Sequence, residues 1–206
     1  MTYQTILFDI DNTLINSADL IAETLQKGAA ATGVNVPVSE YRKRIGRPGD
    51  EILKEFGVTN WKQVLADYMV EFERNMDQLT YFPGIEVLLS NLNELGIQTG
   101  VVTSKDQVQF ARETKYFPLI AAAKIVTTSD LTTKSKPSAE PLLYTVKMHQ
   151  LDLEQTLYVG DSVYDMQAAQ AARMDFASAD WGALPDIECN YAKYQLARPD
   201  VLLKLI

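Results

Sequence analysis

From residue 82 onward, short apolar runs alternate with helix-length stretches, and this rhythm restricts the fold more than any other feature of the chain. Phe82-Pro83-Gly84 punctuates the start. A helix is predicted over Ile85–Leu95, stopped by Gly96, and then a strand over Ile97–Thr103. A helix over Lys105–Tyr116 follows, with Ser104 as its candidate N-cap, and then a short strand Ile125–Thr127. The next helix covers Ser138–Gln150, with Ser138 as cap and Pro141 in its first turn, where a missing N–H costs little. Strand Thr156–Val159, helix Val163–Ala172, a weak strand near Phe176–Ala179 and helix Pro199–Leu205 complete the series. Strands separated by helices need crossover connections, so the pattern predicts an α/β fold, a doubly wound parallel sheet.

The N-terminal part breaks the rhythm. Tyr3–Ile10 reads as a buried strand ending in acids, but the segment from about Asn16 to Leu79 is helical throughout. Its helices are expected near Ala18–Ala31, Val38–Ile45, Gly49–Phe56 and Trp61–Met76. In the last of these, Trp61, Val64, Leu65, Tyr68, Met69 and Phe72 share one face at helical spacing and are assigned to core packing. The expected organisation is an α/β core formed by residues 1–15 and 81–206, with residues 16–80 as an inserted all-helical cap domain.

Charge narrows the function. The chain of 206 residues carries 27 acidic and 19 basic side chains, a formal net charge of −8. Such a field disfavours nucleic-acid binding and repels anionic substrates, so a phosphate site has to assemble its own local positive charge. Cys189 is the single cysteine, which excludes an intrachain disulfide, and it reads as a small buried apolar residue. No leader-like or membrane-spanning apolar run is visible, so a cytoplasmic location is the expectation, with no membrane partner.

In open α/β sheets ligands bind beyond the carboxyl ends of the strands. The residues there are Asp9-Ile10-Asp11-Asn12-Thr13 after the first strand, Thr103-Ser104-Lys105 after the second, and Gly160-Asp161 with Asp165 after the Thr156–Val159 strand. Lys136-Pro137 precedes the helix that starts near Ser138. Singly, each has an ordinary structural explanation as a turn former, a cap or a solvated loop. Together they put several acids at one sheet edge, which demands a cation, and oxygen donors without His or Cys select a hard one such as Mg²⁺. His149, the lone histidine, sits inside a predicted helix, so a histidine triad or zinc site is excluded.

The four segments, in this order, resemble the four motifs of the haloacid dehalogenase superfamily in its phosphatase form. The likeness runs from about Tyr3 to Gly182. The helical insertion resembles the cap of the branch that holds phosphoglycolate phosphatases, pyrophosphatases and β-phosphoglucomutases. The resemblance implies that Asp9 is the nucleophile and forms an aspartyl-phosphate, and that Asp11 is the acid and then the base. It implies that Thr103, with nearby backbone N–H groups and Ser104, holds the phosphoryl group, and that Lys136 screens charge. It implies Mg²⁺ ligation by Asp9, the Asp11 carbonyl and Asp161, with Asp165 supporting directly or through water. The substrate implied is a small phosphorylated metabolite.

Asn12, Ala139 and Arg173 depart from residues frequent in that family, a glycine, a proline and a helix-ending glycine. Ala139 is expected to loosen its turn slightly. In Arg44-Ile45-Gly46-Arg47-Pro48-Gly49, between two expected cap helices, Arg47 is either a contact to the substrate's leaving group or a solvated surface arginine. Lys105 is a second candidate for local positive charge, or an exposed first-turn residue. A β-phosphoglucomutase-like phosphoryl transfer and a non-catalytic module of the same fold are the competing readings. A module that had lost its chemistry would be expected to lack at least one of these groups.

Overall fold

A computed structural model describes residues 3–184 and 190–206; Cys189 lies outside the described residues. The alternation resolves into β1 (Thr5–Phe8), β2 (Gln98–Val102), β3 (Ile125–Thr127), β4 (Thr156–Gly160), β5 (Asp175–Ala179) and β6 (Tyr194–Leu196). These form one sheet in the order β3-β2-β1-β4-β5-β6, every neighbouring pair parallel. The helices are α1 (Ala18–Ala30), α2 (Val38–Arg42), α3 (Gly49–Glu55), α4 (Trp61–Arg74), α5 (Ile85–Glu94), α6 (Gln107–Glu113), α7 (Pro118–Ala121), α8 (Glu140–His149) and α9 (Val163–Ala172). The chain leaves β1 to build β2 and β3 on one side, then returns to place β4 on the other. That reversal between β1 and β4 opens the crevice expected of a doubly wound sheet.

β1 is buried on both faces, as its unbroken Thr-Ile-Leu-Phe run requires, with Phe8 in register with Val101 and Val159. One face of the sheet packs Leu7, Val102, Tyr158 and Phe176 against Leu142 of α8 and Met166 of α9. The other face belongs to an apolar cluster that runs from Phe8 and Val101 through Ile10 to Ile21 and Leu25 of α1 and Tyr68 and Phe72 of α4. The four helices between β1 and α5 therefore pack on one another, and α4 also packs on α6. Each large apolar chain buried this way contributes roughly 1.5–3 kcal/mol.

The structure corrects several element boundaries. The helix expected over Lys105–Tyr116 is the shorter α6, and its cap is Asp106, not Ser104. The Asp106 carboxylate accepts the Gln109 N–H while the Gln109 side chain accepts the Asp106 N–H. Ser138 does not cap α8, which begins at Glu140; Ser138 Oγ accepts the Glu140 N–H from the residue before the N-cap position. Strand β6 was not expected, and Pro199–Leu205 is a 3-10 rather than an α-helix. Asn12 and Arg173 both adopt left-handed backbone, φ 59° and 55°, so each fills a position that glycine would otherwise take.

Candidate active site

Two sequence positions at the carboxyl ends of adjacent strands, Asp9 after β1 and Asp161 after β4, are brought face to face. Asp165 joins them from the first turn of α9. One carboxylate oxygen from each of the three lies within 4.8 Å of the others. Asp165 is fully buried, and its position explains Gly160. A Cβ there would stand 2.6 Å from the Asp165 Cβ, so only glycine lets the helix approach the strand this closely. Ser162 caps α9 and fixes the acid at the same time, donating from Oγ at 2.5 Å and from N–H at 3.2 Å to Asp165 Oδ2.

Lys136 is the cation of this floor. It is 1% exposed, and its ammonium donates to Asp9 Oδ1 at 2.6 Å, Asp165 Oδ1 at 2.7 Å and the Tyr158 hydroxyl at 3.1 Å. The Lys136–Pro137 peptide is cis. Tyr158 in turn donates to Asp165 Oδ1 at 2.7 Å. One lysine cannot neutralise three buried carboxylates. Burial, with Asp165 and Asp11 nearby, pushes Asp9 up to about 7 despite Lys136. Burial and the charges of Asp165 and Asp9 hold Asp161 well above the usual carboxylate range. Asp9 Oδ2 is buried with no hydrogen-bond partner. An orphaned carboxylate oxygen beside two further acids fits a hard divalent cation, and no softer donor is among them.

Asp11 is outside this cluster of acids and has partners of its own. Ser17 Oγ donates to its Oδ1 at 2.6 Å, and Lys105 pairs with its Oδ2. Lys105 is not the exposed first-turn residue that its place before a helix suggests. It is 8% exposed and also lies 3.1 Å from Glu113 at the end of α6. Thr103 is buried, and its Oγ1 accepts the Lys105 N–H at 3.2 Å, which fixes the loop after β2. Thr13 donates to Asp161 Oδ1 at 3.1 Å and so ties the first loop to the fourth.

Above these groups the α2–α3 loop closes a cavity of about 40 Å³, lined by Asp9, Asp11, Arg47, Tyr68, Ser104 and Lys105. Tyr68 is thus both a packing residue, as its helical face implied, and part of the cavity wall. Gly46 makes the loop's close approach possible: its φ is 103°, and a Cβ would stand 2.7 Å from Ser162 Oγ. Ser104 donates to the Gly46 carbonyl at 2.5 Å, and Ser135 donates to Glu51 of α3 at 2.5 Å. Arg47 is neither fully solvated nor free. It pairs with Glu55 at 2.5 Å and Glu51 at 3.5 Å and lies 5.7 Å from the Tyr164 ring centroid.

The structure brings Asp9, Asp11, Lys136, Asp161 and Asp165 together at one sheet edge, with Ser104 and Arg47 lining the cavity beside them and Thr103 in the loop after β2. It adds Tyr158, Ser162, Ser17 and Glu113. Tyr158 carried a signal, a phenol hydroxyl in the middle of a buried strand; Glu113 carried none, since an acid on a short helix is ordinary.

Comparison with known proteins agrees with this geometry. The family model of haloacid dehalogenase-like hydrolases matches residues 6–179. The chain is 31% identical over 185 residues to “Putative pyrophosphatase PpaX” of Clostridium perfringens, covering 88% of this chain and 86% of that protein. It is 27% identical over 209 residues to the phosphoglycolate phosphatase of Aquifex aeolicus, covering 98% and 96%. The crystal structure of a “putative phosphoglycolate phosphatase” from Lactobacillus plantarum superposes with a TM-score of 0.88 at 28% identity, covering all of both chains. The chain belongs to the haloacid dehalogenase-like hydrolase family, among relatives named as phosphatases and pyrophosphatases.

Proposed function

We propose that this chain is a Mg²⁺-dependent phosphatase that cleaves a small phosphorylated metabolite through a phosphorylated Asp9. The observation that carries this reading is the state of Asp9: one oxygen held by Lys136, the other buried without a partner and facing no competing donor. In this reading Asp9, the Asp11 carbonyl and Asp161 hold the metal. Asp165, whose oxygens already accept from Lys136, Tyr158 and Ser162, supports from behind. When bound, Mg²⁺ neutralises and orients the phosphoryl oxygens.

The chain's own groups then divide the work. An Asp9 oxygen bonds to phosphorus as the bond to the leaving oxygen breaks, and Asp11 gives that oxygen its proton. Asp11 next takes a proton from water, whose oxygen attacks phosphorus and releases phosphate, restoring Asp9. Lys136 stays beside the reacting carboxylate throughout, and Thr103 and Ser104 hold phosphoryl oxygens. Residues 16–80 serve as the cap. The cavity beneath them has room for about three waters, so a whole metabolite enters only when the helices lift, and Arg47 then meets the leaving-group end. Among the described residues no helix is long and apolar enough to cross a membrane, and we place the enzyme in the cytoplasm.

Phosphate release from p-nitrophenyl phosphate, with and without Mg²⁺, tests the reading. Metal-dependent release that disappears in Asp9→Asn is the expected result. Full activity in that variant, or inactivity of the wild type toward p-nitrophenyl phosphate, pyrophosphate, phosphoglycolate and sugar phosphates alike, overturns it.

A further inference from the structure

The chemistry above leaves two buried charges without a task, Lys105 and Glu113. Glu113 is the last residue of α6, it is 1% exposed, and neither of its carboxylate oxygens has a hydrogen-bond partner. A carboxylate buried in this way is costly unless something compensates it. Its one ion pair among the described residues is with Lys105 Nζ, at 3.1 Å. Lys105 is the group that pairs with Asp11 Oδ2, while Ser17 holds Asp11 Oδ1. The backbone of Lys105 is fixed on both sides, by Thr103 Oγ1 at its N–H and by the Ser129 N–H at its carbonyl. The ammonium of Lys105 can still swing, because four methylenes separate it from that backbone.

We infer that Glu113 is a positioning residue: by holding the Lys105 ammonium from behind, it fixes the orientation in which Lys105 presents Asp11 to the leaving group. The inference rests on the proposed role of Asp11 and extends it by two residues that no motif marks as a pair. Asp11 is clamped from two directions only while Lys105 stays in place. Without the Glu113 charge, Lys105 has a single anionic partner and is free to leave the line between Glu113 and Asp11 for the cavity that it also borders. A loosened Asp11 delivers its proton poorly. The loss then depends on how badly the leaving oxygen needs that proton.

Substituted phenyl phosphates supply that dependence, since they share one shape and differ in leaving-group basicity. The quantity to measure is kcat/KM, which reports bond cleavage to the leaving group before the phosphorylated enzyme turns over. For Glu113→Gln we expect kcat/KM to fall about tenfold more for phenyl phosphate than for p-nitrophenyl phosphate, a difference of about 1.4 kcal/mol in transition-state energy. Lys105→Met should steepen the same dependence. Glu113→Asp should recover part of it, and it serves as the working variant if the glutamine protein folds poorly. Equal losses for both substrates, or none, overturn the inference and leave the phosphatase reading standing. A wild type inactive on aryl phosphates, pyrophosphate, phosphoglycolate and sugar phosphates alike, or an Asp9→Asn variant as active as the wild type, would instead defeat the reading on which the inference depends.

Discussion

Each acid of the Asp9-Ile10-Asp11 segment has its own buried lysine, and each lysine is backed by a second buried carboxylate, yet the two sides are finished to different degrees. On the Asp9 side, Lys136 has four acceptors, and its backing acid Asp165 is hydrogen-bonded at both oxygens. On the Asp11 side, Lys105 lines the cavity, and its backing acid Glu113 has no hydrogen bond at either oxygen. The first arrangement is a hydrogen-bonded floor, whose one orphan atom is Asp9 Oδ2 itself. The second is held at Glu113 by an ion pair alone and borders the cavity. In the proposed reaction the first side meets the phosphoryl group, which is common to all substrates, and the second meets the leaving group, which is not.

The sharpest way to break this comparison is Asp9→Asn, which should lower phosphatase kcat by at least roughly a thousandfold, the scale for losing a covalent nucleophile. Lys136→Met should cost about a hundredfold in kcat/KM. It should also destabilise the protein by about 3–5 kcal/mol, because it strands two buried acids, and chemical denaturation will read that loss. On the cavity side the effects should be smaller. Arg47→Ala should raise KM about tenfold with kcat little changed; an unchanged KM would show that its pairs with Glu55 and Glu51 hold the loop and nothing more. Tyr158→Phe removes one donor to Asp165 and one acceptor from Lys136, and should cost about 1–2 kcal/mol of stability.

The remaining effect concerns pH. Folding raises the Asp9 and Glu113 carboxyls, each to about 7. Between the unfolded and folded values the folded protein binds more protons than the unfolded chain, so stability in EDTA, read as Tm, falls as pH rises from 5 to 7.5. The decrease should be smaller in Asp9→Asn, and Mg²⁺ should reverse it in the wild type. An Asp9→Asn protein with the same pH dependence as the wild type would assign the effect to Glu113 and Asp161, whose carboxyls are also raised.

Much of this was legible in the sequence because the relevant residues terminate apolar strands, and strand ends of a parallel sheet share one edge. Asp9, Thr103 and Asp161 converge for that reason alone. The departures have local physical causes. Asp106 outcompetes Ser104 as the helix cap because Gln109 stands three residues on and completes a capping box, a signature present in the sequence. The three residues of β6 pair only with β5, at the edge of the sheet, and carry too little periodicity to be recognised. Lys105 reads as exposed because a lysine ahead of a helix ordinarily is. Its burial comes from Tyr68 and Phe72 of α4, about thirty-five residues away, and from Glu113, contacts that only the packed helices create. The core half of the site is thus written in local patterns, and the cavity half in tertiary ones.

The central claim is that Asp9 carries the phosphoryl group. Acid-quenching the enzyme during turnover of p-nitrophenyl phosphate in Mg²⁺, reducing with borohydride and sequencing the peptides by mass spectrometry tests it directly, since an acyl phosphate is reduced to an alcohol. The account predicts conversion of Asp9, and of no other acid, to homoserine during turnover, and none without substrate. Steady phosphate release with Asp9 unmodified, or the adduct on Asp11, Asp161 or Asp165, would contradict it.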